Sequence, residues 1–250
     1  MKSFNHFFVG IGHAGSLVVE VLDGEGVNRI GINPAYYLLS SSRNYEDRLR
    51  NFFSNLPEDS FLWLVFEDKT INLELVSLIM ESLPQRVIKL AYVLTPRKEL
   101  VKKEKPDWAD GFETVFYDSF WEFLRSDVPL HQAYSQAARA IGRMFTKLHY
   151  YLENEMLVNI DYADLFNMIK GGNVGILRIL RGVDFKWHWG IWDRGLIALL
   201  IGEEAPLKDA HGILAKFQEI LSEKDVIWGV VTDPDLGKEA EILALLVKRW

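Results

Sequence analysis

The sequence predicts an α/β protein: a parallel sheet with crossover helices, then a long helix, then a smaller α/β unit. Three observations predict this. Short apolar runs alternate with helically spaced apolar residues through the first half. A glycine-rich turn separates the first run from the first helix. One amphipathic stripe of roughly 23 residues, about 35 Å long as a helix, divides the chain.

Phe7 to Val9 is a short apolar run ending in glycine and reads as a buried strand. Leu17, Val18, Val21 and Leu22 follow with helical spacing, and Asp23-Gly24 stops that helix. Arg29 to Asn33, Phe61 to Phe66 and Val87 to Leu94 read as further strands. Leu73, Val76, Ile79, Met80 and Leu83 mark a helix between the last two. The segment Ser40 to Glu58 is short and polar. Arg97 to Asp110 mixes Lys98, Lys102, Lys103 and Lys105 with Glu99 and Glu104, and reads as a solvated helix or loop rather than a basic patch.

The dividing stripe is Leu130, Ala133, Ala137, Ile141, Met144, Leu148 and Tyr151, stepping by three or four. Beyond it Gly171, Gly172, Gly175, Gly182 and Gly190 break the chain, and Trp187, Trp189 and Trp192 cluster as aromatic core or a subunit contact rather than as a platform that stacks a ligand. Leu196 to Ile201 then reads as a strand, Ala210 to Leu221 as a helix, and Val226 to Val231 and Ile242 to Val247 as two more strands. The expected division is residues 1–129, a connecting helix over 130–154, and a second unit over 155–250.

Composition narrows the function classes. The 250 residues, 49% hydrophobic and 25% charged, suffice for one large domain or two small ones with real cores. A net charge of -7 argues against a nucleic-acid partner. The absence of cysteine removes disulfides, thiolate catalysis and zinc-cysteine sites, and fits a cytoplasmic protein. No secretory leader is visible, and no run of about 18 apolar residues is present, so no transmembrane segment is expected.

Gly10, Gly12 and Gly15, with His13 and Ala14 between them, form a G-x-G-x-x-G set between a strand and a helix, as in Rossmann-like nucleotide-binding domains. Glycines there permit a tight turn, let backbone N–H groups approach a phosphate, and aim a helix N-terminus at it. Ser16 offers a hydroxyl beside the turn. A dinucleotide site wants an acid at the end of the second strand, but that strand ends Ile32-Asn33-Pro34. A mononucleotide phosphate loop is the favoured reading, with Asn33 at its border. A glycine turn kept only for helix–sheet packing is the other. The 6 histidines show no metal-ligand spacing, so no metal site is expected.

Three stretches together resemble the FtsZ/tubulin superfamily: Val9 to Leu22, similar to the family's first phosphate loop and helix; Val158-Asn159-Ile160-Asp161-Tyr162-Ala163-Asp164-Leu165, similar to the N-x-D-F-A-D loop after the central helix; and Arg194-Gly195 through Asp233-Pro234-Asp235-Leu236 to the final strand, similar to the second domain. The resemblance implies a shortened, diverged FtsZ-like assembly protein of the cytoskeleton or of cell division. It implies GTP or GDP as ligand, and head-to-tail contact with itself or with a true FtsZ. Asn159, Asp161 and Asp164 then match the loop that reaches a neighbour's nucleotide and helps position water. N-x-D-x-x-D is equally a good helix N-terminus.

The chain departs from the family where phosphates and guanine are held. The family's glycine-rich signature loop is replaced by Glu67-Asp68-Lys69-Thr70-Ile71-Asn72. At the start of the central helix Tyr134 matches the aromatic that stacks on guanine, but Ala138 and Arg139 stand where Asn and Asp read its edge. No counterpart of the family's C-terminal tail is expected after Trp250. The sequence therefore points to a degenerate GTP pocket with weak or absent GTPase activity. A GTPase with an atypical phosphate loop and a nucleotide-free scaffold are the alternatives.

Overall fold

A computed structural model describes residues 5–24, 27–35, 43–95, 104–153, 160–181, 191–206, 208, 211–213, 215 and 224–250. The strands are β1 (His6–Ile11), β2 (Val27–Ile32), β3 (Phe61–Glu67), β4 (Ile88–Thr95), β5 (Thr114–Ser119), β6 (Asn173–Arg181), β7 (Arg194–Ile201), β8 (Asp225–Thr232) and β9 (Ala240–Arg249). The principal helices are α1 (Gly12–Glu20), α2 (Arg43–Ser54), α3 (Thr70–Ser82), α4 (Leu130–Glu153) and α5 (Tyr162–Ile169).

The nine strands among the described residues form one sheet in the order β2-β1-β3-β4-β5-β6-β9-β7-β8. β1 to β5 run parallel. β9 returns antiparallel between β6 and β7. The join between halves is short: Thr114, Val115 and Phe116 of β5 pair with Asn173, Val174 and Gly175 of β6, and past that point the strands no longer pair.

Alternation along the strands sends side chains to two cores. Phe8, Trp63, Tyr92 and Phe116 pack against α1 and α4. Val9, Leu64, Val93 and Val115 pack with Leu49 and Phe53 of α2 and with Leu75, Val76 and Ile79 of α3. Being buried on both faces, β3 reads as an unbroken apolar run, as parallel central strands do. α4 also packs on β6 and β9 in the second half of the sheet, while α5 packs on β7. No described helix is long and apolar enough to cross a membrane.

Three elements depart from the sequence reading. The polar stretch Ser40 to Glu58 contains the helix α2, of whose described side chains only Leu49 and Phe53 are buried. β5 and β6 were not expected as strands. Gly175 was read as a break but lies inside β6, where an added Cβ would come within 2.8 Å of the Leu246 carbonyl oxygen. Its lack of a side chain admits a neighbouring strand rather than ending one. Most of the helix expected over Ala210 to Leu221, and Trp187 and Trp189, lie outside the described residues. Trp192 is buried.

Candidate functional site at the strand-order reversal

The strand order reverses at β1: β2 lies on one side of it and β3 on the other. In open α/β sheets such a reversal opens a crevice at the carboxyl ends of the strands. The glycine turn stands on one wall of that crevice. β1 ends at Ile11 and α1 begins at Gly12, whose φ of 78° favours glycine. Gly10 and Gly15 are demanded by packing. A Cβ on Gly10 would lie 2.4 Å from the Gly15 carbonyl oxygen, and one on Gly15 would lie 2.1 Å from that of Val65. These two glycines let α1 sit directly on β1 and β3.

Ala14 is buried and His13 is exposed. The Ser16 hydroxyl turns back and donates to the Gly10 carbonyl at 3.3 Å. Asn33 is exposed just past β2, and its side-chain oxygen accepts from the Ala35 N–H at 2.9 Å.

The opposite wall is the connection from β3 to α3, which is only Asp68 and Lys69. The Lys69 ammonium pairs with Glu67 at 2.9 Å. Asp68 lies close enough to Tyr117 to reinforce the upward push that burial gives that phenol's pKa. Asn72 is buried, donates to the Glu67 carbonyl at 2.9 Å, and points its amide at the glycine turn. A Cβ on Gly12 would meet the Asn72 Oδ1 at 3.0 Å. The sequence reading missed Asn72; its signal was a polar residue in the first turn of a helix that is otherwise apolar toward the core.

Tyr134 lies further along the same carboxyl edge. Its ring packs on Phe120, just past β5, with centroids 5.2 Å apart. Ala138 is buried, and Arg139 is exposed in a groove shared with Val21, Asp23 and Arg143, near the C-terminal end of α1 rather than at the glycine turn. At the fork where β5 and β6 part, Arg178 bridges the buried Asp118 and, at 3.0 Å, Glu122. Tyr92 donates its hydroxyl to the same Asp118. Burial pushes the Asp118 carboxyl up to about 6 against the opposing pull of Arg178.

Asp161 and Asp164 stand at the other end of the molecule. They form a reciprocal capping box on α5: Asp161 Oδ1 accepts from the Asp164 N–H at 2.9 Å, and Asp164 Oδ2 accepts from the Asp161 N–H at 3.0 Å. The adjacent Tyr162 ring is 5.3 Å from His6 and 5.8 Å from Phe61, the first residues of β1 and β3. The acids are thus at the amino edge of the sheet and the glycine turn at its carboxyl edge. Asn159 lies outside the described residues. Among the described residues no three His, Asp or Glu side chains cluster as metal ligands.

No protein-family model matches the chain. It is similar to cell division protein FtsZ 2 of Pyrococcus furiosus, 27% identical over 157 residues, which are 56% of this chain and 38% of that protein. It is also similar to FtsZ 2 of Thermococcus kodakarensis, 24% identical over 136 residues, 48% of this chain and 33% of that one. The matched segments thus span little more than a third of these relatives. Solved structures agree over nearly the whole fold. An FtsZ dimer of M. jannaschii superposes with a TM-score of 0.71 at 15% identity, over 99% of this chain and 89% of that one. A GTPγS-bound protofilament of CetZ2 from Haloferax volcanii gives 0.65 at 13% identity, over 98% and 94%. The chain therefore has the fold of these FtsZ and CetZ structures, with sequence similarity to FtsZ 2 over about half its length.

Proposed function

We propose that the protein is a cytoskeletal or cell-division assembly factor that associates head to tail, with itself or with a true FtsZ, around a reduced nucleotide pocket. The observation that carries this reading is the pairing of Gly12 with Asn72 across the crevice. The turn keeps what a phosphate needs: a glycine at positive φ and a helix N-terminus with no acid in its first turn. The facing wall lacks the flexible, glycine-lined backbone that would wrap a triphosphate, and its one lysine is held by Glu67. Ala138 and Arg139 offer guanine no acceptor. GTP or GDP therefore binds through its phosphates, weakly and with little base selectivity, and hydrolysis is weak or absent.

Assembly is supported by the placement of Asp161 and Asp164 on the edge opposite the turn, and by neighbours solved as an FtsZ dimer and a CetZ2 protofilament. The functional division we retain is residues 1–129 for the nucleotide-facing part, 130–154 for the connecting helix, and 155–250 for the second part, acting in the cytoplasm.

The test is titration of the purified protein with labelled GTP, GDP and ATP, alongside phosphate-release assays. The expected affinities are weaker than about 1 μM, near -8 kcal/mol, with GTP and ATP within roughly tenfold of one another. Submicromolar GTP binding with strong rejection of ATP, or steady turnover, would replace this reading with that of a GTPase using an atypical loop. No binding of any nucleotide would leave a scaffold.

A further inference from the structure

Asn72 stands in the first turn of α3, on the wall that faces the glycine turn, and is only 2% exposed. Its side-chain nitrogen donates to the Glu67 carbonyl at 2.9 Å, and its backbone N–H to the Lys69 carbonyl at 2.9 Å. The first of these bonds fixes which way the amide lies: nitrogen toward Glu67, oxygen toward Gly12. A Cβ on Gly12 would lie 3.0 Å from that oxygen. Among the described residues no donor reaches the oxygen. A buried acceptor without a donor is costly, so one aimed into a crevice points to a ligand that donates to it.

The opposite wall offers the complementary chemistry. α1 begins at Gly12 with no side-chain cap on its N-terminus and no acid in its first turn. The N–H groups of Gly12, His13 and Ala14 therefore aim out of the helix at its positive end. Donors on one wall and a lone acceptor on the other fit an anion that itself carries a hydroxyl. Inorganic phosphate keeps at least one P–OH near neutral pH, and the terminal phosphate of a nucleotide carries one until it loses its second proton, at a pKa of about 6. Sulfate and the inner phosphates of a nucleotide have no such proton, and would set oxygen against oxygen at Asn72. Glu67 and Asp68 add negative charge to the same wall, where Lys69 is held by Glu67 at 2.9 Å. Their charge favours the protonated form of a bound phosphate.

We propose that the crevice between the glycine turn and Asn72 seats a single phosphate group that carries a P–OH, with the Asn72 oxygen selecting it over anions that only accept. This rests on the reduced nucleotide pocket proposed above, and adds which phosphate enters and in what state. Inner phosphates have no P–OH, so a nucleotide enters terminal phosphate first. The turn N–H groups hold the anionic oxygens, and Asn72 takes the hydroxyl.

The test is titration of the 15N-labelled chain at pH 7 with inorganic phosphate, sulfate and GDP, followed at the amides of Gly12, His13 and Ala14. Phosphate is expected to bind roughly tenfold or more tighter than sulfate. Asn72→Leu keeps the approximate shape of the side chain and removes the acceptor, and its melting temperature checks the fold. In that variant the preference is expected to shrink to about twofold or less. A preference that survives Asn72→Leu overturns the role of Asn72. Should the variant not fold, the comparison of phosphate with sulfate on the unchanged chain decides. Equal binding of phosphate and sulfate overturns the seat, while the pocket reading survives if GDP still shifts the same amides. A preference for phosphate with GDP binding tighter still assigns the seat to a nucleotide's terminal phosphate. The same preference with no response to GDP supports a seat for the free anion and overturns the nucleotide reading. No shift with any of the three overturns both.

Discussion

Asn72 lies over Gly12, its side-chain oxygen 3.0 Å from where a Cβ on that glycine would sit. Asn72 is fixed in place by its 2.9 Å bond to the Glu67 carbonyl.

Gly12→Ala is expected to lower stability by about 1–3 kcal/mol, because alanine is strained at positive φ and its Cβ presses on Asn72. Asn72→Ala is expected to cost about 1 kcal/mol for the lost bond. It should also relieve part of the Gly12→Ala penalty in the double variant. Urea unfolding of the two single variants and the double variant measures this; simple additivity would mean that the two residues do not press on one another.

The capping box separates a local from an intermolecular role for the acids. Asp161→Ala is expected to cost about 1 kcal/mol of stability through the loss of the cap. If Asp161 and Asp164 also meet a neighbour, Asp161→Ala/Asp164→Ala weakens association more than a distant variant of equal melting temperature does. Analytical ultracentrifugation of the two, with and without GTP, decides it. Equal association assigns the acids to the cap alone.

His6 predicts acid sensitivity. It is buried between Phe61, stacked at 5.0 Å, and His149 at 5.1 Å, and neither ring nitrogen has a hydrogen-bond partner. Burial, then the nearby His149, lower its pKa from 6.5 to about 3. The folded pKa lies below the unfolded one, so the stabilising effect of the neutral ring is complete above 6.5 and is lost as pH falls toward 3. The slope is about 1.4 kcal/mol per pH unit across that window. His6→Phe keeps the stacking and should flatten the stability profile between pH 6.5 and 4. An unchanged profile would place the acid sensitivity elsewhere.

Arg178 closes the fork between β5 and β6, so its loss leaves Asp118 buried without a cation. Arg178→Met is expected to cost about 3–5 kcal/mol, and Asp118→Asn/Arg178→Met to recover much of that. Burial already raises the Asp118 pKa to about 6. An acid whose folded pKa is raised favours folding in its protonated form and loses that advantage as pH rises through the folded pKa. The Arg178→Met penalty should therefore be larger at pH 7.5 than at pH 5, as denaturant midpoints at the two values would show.

Much of the fold was legible in the chain. β3 and the stripe of α4 are long enough, and apolar enough, for periodicity alone to mark them, and the glycine turn announces itself through spacing between a strand and a helix. The sequence by itself determined the class of sheet, the position of the turn and the local fitness of Asp161 and Asp164 as a cap. Those properties depend on neighbours within a few residues. Tertiary structure alone decided the rest. Gly175 reads as a break until β9 is seen beside it, and α2 emerges from a stretch that reads as polar. The partnership of Gly12 with Asn72 brings together residues far apart in the chain. Arg178 meets Asp118 only because two strands pair briefly and then part. Such relationships depend on which strands lie side by side, a choice made by packing across the whole sheet rather than by local spacing.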